Sequence, residues 1–484
     1  MTFEVVVVGG GIGGLTVAAL LSKRGLKVCL LERQSEVGGC ISSVQHHGLT
    51  FEPGFGIYSG WESGEVFDRI FTELGGARPE VELLRDDLVI RFHRQDIALK
   101  KDASFNDELR STFPECAEKS IEFYLAVDRI AGELKRLSAV GPIAPKSILS
   151  KAFNALRTKS NESEELIKAR HLPSVDYLKE TSDRFVSFID AQLKLFLQTP
   201  VDECPFLPAC VVLSRLRENL YSIVDGPSTL TRSLAEAFKS SGGTLKLNTP
   251  VLRLAYNNNG YATGVDLLSG EQISATRAIV SNMTIWDTYG KLVGLNRTPP
   301  EVKKELNSLV SSGVYQVFAS LEQTALKRLP AQRMLVVGDQ PGDESNDFFF
   351  ATMSGLDQQS LGVTFTSQTA VDDWFSFQRD EEEAENRDQA ALEVFWSNLH
   401  RSMPEFGGDL EVLETATPKT YYEQTRRKLG FVLGYRQPAP SALRTISQSI
   451  PNLFMIGDTT GGLMASLDSI ALSALQLANT LQPK

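Results

Sequence analysis

The sequence predicts an α/β chain organised on a doubly wound, Rossmann-like sheet, and two stretches carry that prediction. The first is "FEVVVVGGGIGGLTVAALLSKRGLKVCLLER", residues 3–33. It reads as a buried strand (4–8), a glycine turn, an amphipathic helix to about Lys23 and a second buried strand (27–31). The second is "GDTTGGLMASLDS", residues 457–469, directly after the apolar run Leu453-Phe454-Met455-Ile456. There a short buried strand ends in Gly-Asp and opens onto a helix expected over 467–481, so that a carboxylate and free backbone N–H groups face one polar ligand.

Within the first stretch, Gly9, Gly11 and Gly14 stand in G-x-G-x-x-G spacing between strand and helix. Gly9 allows the tight turn, Gly11 lets the backbone approach a pyrophosphate, and Gly14 lets helix and strand pack closely. The ligand's negative charge then meets the positive end of the helix. Glu32 ends the second strand, 18 residues after Gly14. A carboxylate there accepts both ribose hydroxyls of an adenosine and repels a 2′-phosphate. These residues satisfy NAD and FAD equally.

Composition limits the rest. At 484 residues the chain is about three times a usual domain, so two interleaved domains or one multi-lobed body is expected. A charge of −11, from 49 basic and 60 acidic residues, argues against a nucleic-acid partner. No apolar stretch approaches the roughly 18 residues of a membrane span. Residues 1–8 enter a strand without a signal-peptide pattern, so a cytoplasmic location is expected. The five cysteines are odd in number and lack metal-ligand spacing, which reads as reduced thiols and no metal site. The five histidines form no metal or triad pattern, and His46-His47 reads as a loop pair.

The next segment, "RQSEVGGCISSVQHHGLTFEPGFGIYSG" (33–60), has a second glycine pair, Gly38-Gly39, and then Glu52-Pro53-Gly54 after a short strand from Gly48 to Phe51. Here the chain resembles the FAD-binding entry of the flavin-containing amine oxidase and phytoene desaturase superfamily. That resemblance implies FAD, with Arg33, Gly38, Gly39 and Cys40 joining Gly9, Gly11, Gly14 and Glu32 at the cofactor. Members usually carry Arg after the glycine pair; Cys40 departs from this and looks like the carotenoid isomerase branch. The stretches 185–216, 225–254 and 278–292 are similar to carotenoid isomerases and retinol saturases in order and spacing. By the same resemblance Val251 offers backbone groups to the adenine, and Ser281-Asn282 returns the chain to the FAD domain.

The resemblance also implies that Gly457 and Asp458 hold the ribityl chain, that the following helix points its N-terminus at the flavin's pyrimidine edge, and that Met464 lies near the ring. Read without it, Asp458 is a helix N-cap. Relatives have a Pro-Gly-rich turn after Gly-Asp, and this chain does not. Asp468 reads as an acid/base candidate or, more plainly, as a helix cap. No catalytic residue is assigned.

The implied architecture is a discontinuous FAD-binding domain (1–95, 225–295 and 420–484) with an inserted α+β substrate-binding domain (96–224 and 296–419). The second part includes an antiparallel sheet with strands over 315–321 and 361–366. The segment "KSILSKAFNALRTK" (146–159) is a basic amphipathic helix that either lies peripherally on an anionic membrane or packs as an ordinary surface helix. The run 379–388 reads as a solvated helix start. The implied activity is an FAD-dependent oxidoreductase or isomerase acting on an apolar isoprenoid polyene. Carotenoid cis–trans isomerisation or desaturation is expected. A retinol-saturase-like reductase, an amine oxidase and a flavin-free prenyl-binding escort protein are the alternatives.

Overall fold

The computed structural model describes residues 1–76, 78–84, 88–139, 163–338, 348–355, 360–376, 381–406, 408–436, 450–460 and 466–482. Strand β1 (Thr2–Val8) runs into helix α1 (Ile12–Lys23), and β2 (Val28–Leu31) returns parallel to β1. Val5 and Val7 of β1 enter one core, while Phe3, Val6 and Val8 enter the core on the opposite face. A strand covered on both faces must be apolar at every position, which is why its sequence reads as a continuous run. Helix α1 is not amphipathic as expected: every residue from Ile12 to Ser22 is buried. It is wedged between the helix Ser228–Ser240 and the C-terminal helix Leu467–Thr480, which cover the faces a surface helix would leave wet.

The first sheet runs in the order Val251–Tyr256, Ala262–Leu267, Gln272–Ser281, β1, β2, Thr244–Lys246. The long strand Gln272–Ser281 divides its other edge between two partners, antiparallel Ala262–Leu267 at its start and parallel Leu453–Met455 at its end. Val8 pairs with both Leu31 and Ser281, and Ser281 pairs with Met455. Four strands thus end together on one side of the sheet, the crevice where doubly wound sheets take their ligands.

The second sheet has the order Leu410–Ala416, Gly313–Glu322, Ser360–Thr369, Phe348–Ser354, Arg333–Val337, Leu88–Phe92, Gln95–Leu99. The strands expected over 315–321 and 361–366 are present, longer, and antiparallel, with Val317 opposite Phe365. One boundary needs correction. Leu88–Phe92 falls inside the stretch 1–95 assigned to the first domain, yet it pairs with Arg333–Val337 in the second sheet, Val89 beside Met334. A helical lobe, including Ala117–Ala139, Asp183–Leu197 and Phe206–Arg215, packs around an aromatic cluster with Phe113, Phe185 and Phe188 at its centre.

A buried polar clamp joins the loop after Phe51 to the second sheet. Glu52, 5% exposed, accepts from the Tyr58 hydroxyl at 2.7 Å. Arg333, 4% exposed, donates through Nε to the Gly56 carbonyl at 2.9 Å and through Nη1 to the Met353 carbonyl at 2.5 Å. Burial pushes the Glu52 carboxyl above its ordinary range, against the pull of Arg333 and the Tyr58 hydrogen bond. Loop residues 52–58 are therefore fixed in place beside the crevice.

Two predictions concern this framework. A methyl group on Gly14 would stand 2.1 Å from the Gly9 carbonyl oxygen, whereas one on Gly132, exposed within Ala117–Ala139, meets open space. Gly14→Ala should destabilise the chain by about 1–3 kcal/mol, and Gly132→Ala should stabilise it by about 0.5–1 kcal/mol, as read by urea unfolding. Equal effects would refute the packing account. The second concerns Glu52. A carboxyl with a raised folded pKa contributes fully below its unfolded value, and that contribution is lost as pH rises through the folded value. Glu52→Gln keeps an oxygen for Tyr58 and removes the titration. The stability of wild type relative to the variant should therefore fall as pH rises from about 4 toward neutrality. A pH-independent difference would show that Glu52 is not titrating from a buried state.

Candidate active site

The start of the turn between β1 and α1 is tied to the end of β2 by the Gly9 N–H donating to the Leu31 carbonyl at 2.9 Å. Gly11 is the N-cap of α1, without a side-chain cap, and the first helical turn holds no acidic residue. The first-turn N–H groups and the positive end of the helix are therefore available to an anion. The second glycine loop rests directly on the first, with the Gly38 N–H donating to the Gly10 carbonyl at 3.0 Å. Gly38 has φ +128°, open to glycine and strained for other residues. Glu32 stands at the end of β2, where Oε2 accepts from the Gly10 N–H at 2.6 Å and Oε1 from the Gln34 N–H at 2.8 Å.

These loops form one end of a cavity of about 430 Å3. Every cofactor candidate named from the sequence lines it except Gly14 and Met464. Gly14 lies beneath, packing α1 on the turn. Met464 falls outside the described residues, as does the whole segment 146–159. Arg33 is exposed and donates from Nη2 to the Gln424 carbonyl at 2.6 Å. Val251 begins the edge strand of the first sheet. The far wall, which includes Phe55, Ile57, Phe196, Val314, Val432 and Leu433, is largely apolar.

The acidic residues of the wall have partners. Asp458 forms an ion pair with Arg427. It is not a helix cap; Ser466 holds that place for the C-terminal helix. Asp468 does not cap either: it lies in the first turn of that helix, buried, and pairs with Arg215 from the helical lobe. Asp287 binds Lys291 Nζ at 2.7 Å and accepts from the Lys428 N–H at 3.0 Å. Cys40 is a partly buried free thiol beside Arg427, and burial raises its pKa. His46 pairs with Glu414 at 2.6 Å and His47 sits in a turn; neither lines the cavity.

Sequence reading missed several of these residues. Asn282, named only as a connection, lays its side chain across the glycine turn, where a methyl on Gly11 would come 2.7 Å from its Nδ2. Gln316, Tyr421 and Arg427 line the cavity from segments with no recognisable motif. A dinucleotide fits the uncapped helix end, the paired glycine loops and the carboxylate at the end of β2. When bound, it supplies a ring that accepts and returns reducing equivalents.

The comparisons with known proteins agree with this geometry. A family model described as flavin containing amine oxidoreductase matches residues 12–480. The chain is 24% identical to a chloroplastic prolycopene isomerase of Daucus carota, over 94% of this chain and 76% of that one. It is 26% identical to a 4,4'-diapophytoene desaturase (4,4'-diapolycopene-forming) of Methylomonas, over 58% of this chain and 53% of that one. The solved structure of an oxidoreductase from Methanosarcina mazei shares the fold, with a TM-score of 0.63, 16% identity and coverage of 99% and 100% of the two chains. With the matched residues running from helix α1 through the second glycine loop to the terminal Gly-Asp strand, the chain belongs to the flavin containing amine oxidoreductase family and is a flavin-dependent oxidoreductase.

Proposed function

We propose that the chain is an FAD-dependent enzyme acting on an apolar isoprenoid polyene, by carotenoid cis–trans isomerisation or by desaturation. The observation that carries the proposal is the cavity itself, which joins two glycine loops and Glu32 at one end to a largely apolar wall at the other. The likeness to a prolycopene isomerase along 94% of the chain supports the substrate class. In this reading Glu32 accepts from the ribose hydroxyls, and Gly9, Gly11 and the Gly38-Gly39 pair let the backbone reach the pyrophosphate. Val251 meets the adenine with backbone groups, and Arg33 closes that end over the Gln424 carbonyl. Gly457 and Asp458 hold the ribityl chain. The C-terminal helix aims its N-terminus at the pyrimidine edge, which favours the negative charge that gathers there on reduction. The FAD-binding body is drawn from residues 1–87, 225–295 and 420–484, and the substrate-binding body from the remainder.

The purified protein should be yellow, or become so with added FAD. Glu32→Ala should weaken FAD binding by about 1–3 kcal/mol in a fluorescence titration, and unchanged affinity would remove Glu32 from the site.

The reaction is sorted by anaerobic incubation with cis- and trans-polyenes, once with oxidised and once with dithionite-reduced FAD. Turnover in the reduced state alone, at unchanged product mass, identifies an isomerase, the outcome we expect. Loss of two hydrogens under oxidised FAD identifies a desaturase, and gain of two under reduced FAD a saturase. If no polyene reacts in either state while a small amine is oxidised, the isoprenoid assignment fails.

A further inference from the structure

Among the described residues, four cationic side chains stand in the cavity wall: Arg33, Lys291, Arg426 and Arg427. Three of them are exposed. Arg33 reaches outward to the Gln424 carbonyl, Lys291 is 51% exposed, and Arg426 lies over the Tyr422 ring, 5.3 Å from its centroid. Arg427 differs, with a side chain only 16% exposed.

The segment that carries it is tied down on both sides of the crevice. The Gln424 carbonyl accepts from Arg33, the Arg426 carbonyl accepts from Lys291 Nζ at 2.7 Å, and the Lys428 N–H donates to Asp287 Oδ2 at 3.0 Å. Arg426 (φ 57°) and Leu429 (φ 50°) are left-handed without being glycine. Such conformations cost about 1–2 kcal/mol each and persist only where surrounding contacts impose them. Here they turn Arg427 inward. Its Nε donates to the Phe431 carbonyl at 2.5 Å, an Nη2 hydrogen goes to the Asp458 carboxylate, and the Cys40 thiol lies alongside.

Cys40 directly follows the Gly38-Gly39 pair. A methyl on Gly39 would stand 3.8 Å from the Gly11 Cα, so this end of the second loop lies against the N-terminus of α1. A guanidinium beside Cys40 is therefore beside the place where a dinucleotide's two phosphate charges must lie. Backbone N–H groups and a helix end supply only partial charges there. An arginine adds a formal charge, here shared with Asp458, and its planar fork keeps donors beyond those given to Phe431 and Asp458 that suit phosphate oxygens.

We propose that Arg427 is the cationic ligand of the cofactor's pyrophosphate, brought to the two glycine loops by the segment 417–436 and oriented by Asp458. The proposal rests on the FAD reading above.

The test is a titration of the apoprotein with FAD, followed by flavin fluorescence at several salt concentrations. Arg427→Gln should raise the Kd for FAD by about 10- to 100-fold, with a shallower salt dependence because one charge contact is gone. Arg427→Lys should recover part of the affinity and keep the wild-type salt slope. An Arg427→Gln affinity within about twofold of wild type overturns the assignment. So does a loss of affinity with the salt slope unchanged, which marks a merely structural role. If Arg427→Gln does not fold, Arg427→Lys decides alone: a several-fold weaker Kd at the wild-type slope supports the role, and an unchanged Kd overturns it. A wild-type chain that takes up no FAD overturns the underlying FAD reading instead, so the two failures are distinct.

Discussion

Helix α1 can lie against the end of β1 only because no side chain stands at Gly14, where a Cβ would come 2.1 Å from the Gly9 carbonyl oxygen. That contact fixes where the helix begins. Wedged between Ser228–Ser240 and Leu467–Thr480, the helix cannot tilt away, so its uncapped first turn stays beside the ends of β1 and β2. The other parts of the site take their places around this point. The second glycine loop rests on the Gly10 carbonyl, Glu32 accepts from the Gly10 N–H, and Asn282 covers Gly11 and Gly13. One close approach of helix and strand thus sets the polar end of the cavity.

Charge organises the remainder. An unpaired carboxylate away from water is costly, and the wall contains three that are met by cations: Asp458 by Arg427, Asp468 by Arg215, Asp287 by Lys291. One of these pairs also joins parts of the chain far apart in sequence. Arg215 ends a helix of the helical lobe and Asp468 begins the C-terminal helix, so their contact sets the lobe against the crevice. The Glu52, Tyr58 and Arg333 clamp does the same for the second sheet.

Much of the polar end was legible because its signals are local. A glycine pattern between an apolar strand and a helix, with an acid closing the next strand, specifies positions within a few residues of one another. The partners of those positions were not legible. Asp458 read alone is equally a cap or a ligand; the cap goes to Ser466, and Arg427, the partner of Asp458, arrives from a segment with no motif. Leu88–Phe92 is apolar except for Arg91, and such a strand satisfies either sheet. Its parallel pairing with Arg333–Val337 depends on a long crossover that no local pattern encodes. The burial of α1 on all sides has the same origin, since its own sequence cannot report two helices more than two hundred residues downstream.

The apolar end poses a different problem, because Gln316 and Thr366 are polar yet face the cavity from the second sheet. They are directly opposed on neighbouring strands, and Gln316 Nε2 donates to Thr366 Oγ1 at 2.8 Å and to the Pro53 carbonyl at 3.0 Å. The Tyr421 hydroxyl donates to Gln316 Oε1. Both amide hydrogens and the amide oxygen are thereby engaged within the wall, and a polar group whose partners are internal has little left to offer a ligand. Gln316 and Thr366 are thus partnered within the wall rather than presented to the cavity unpaired. The same bonds hold Pro53 and Tyr421 in place. Pro53 belongs to the loop clamped by Arg333, and Tyr421 to the segment that carries Arg427, so this part of the wall ties that loop and that segment to the second sheet.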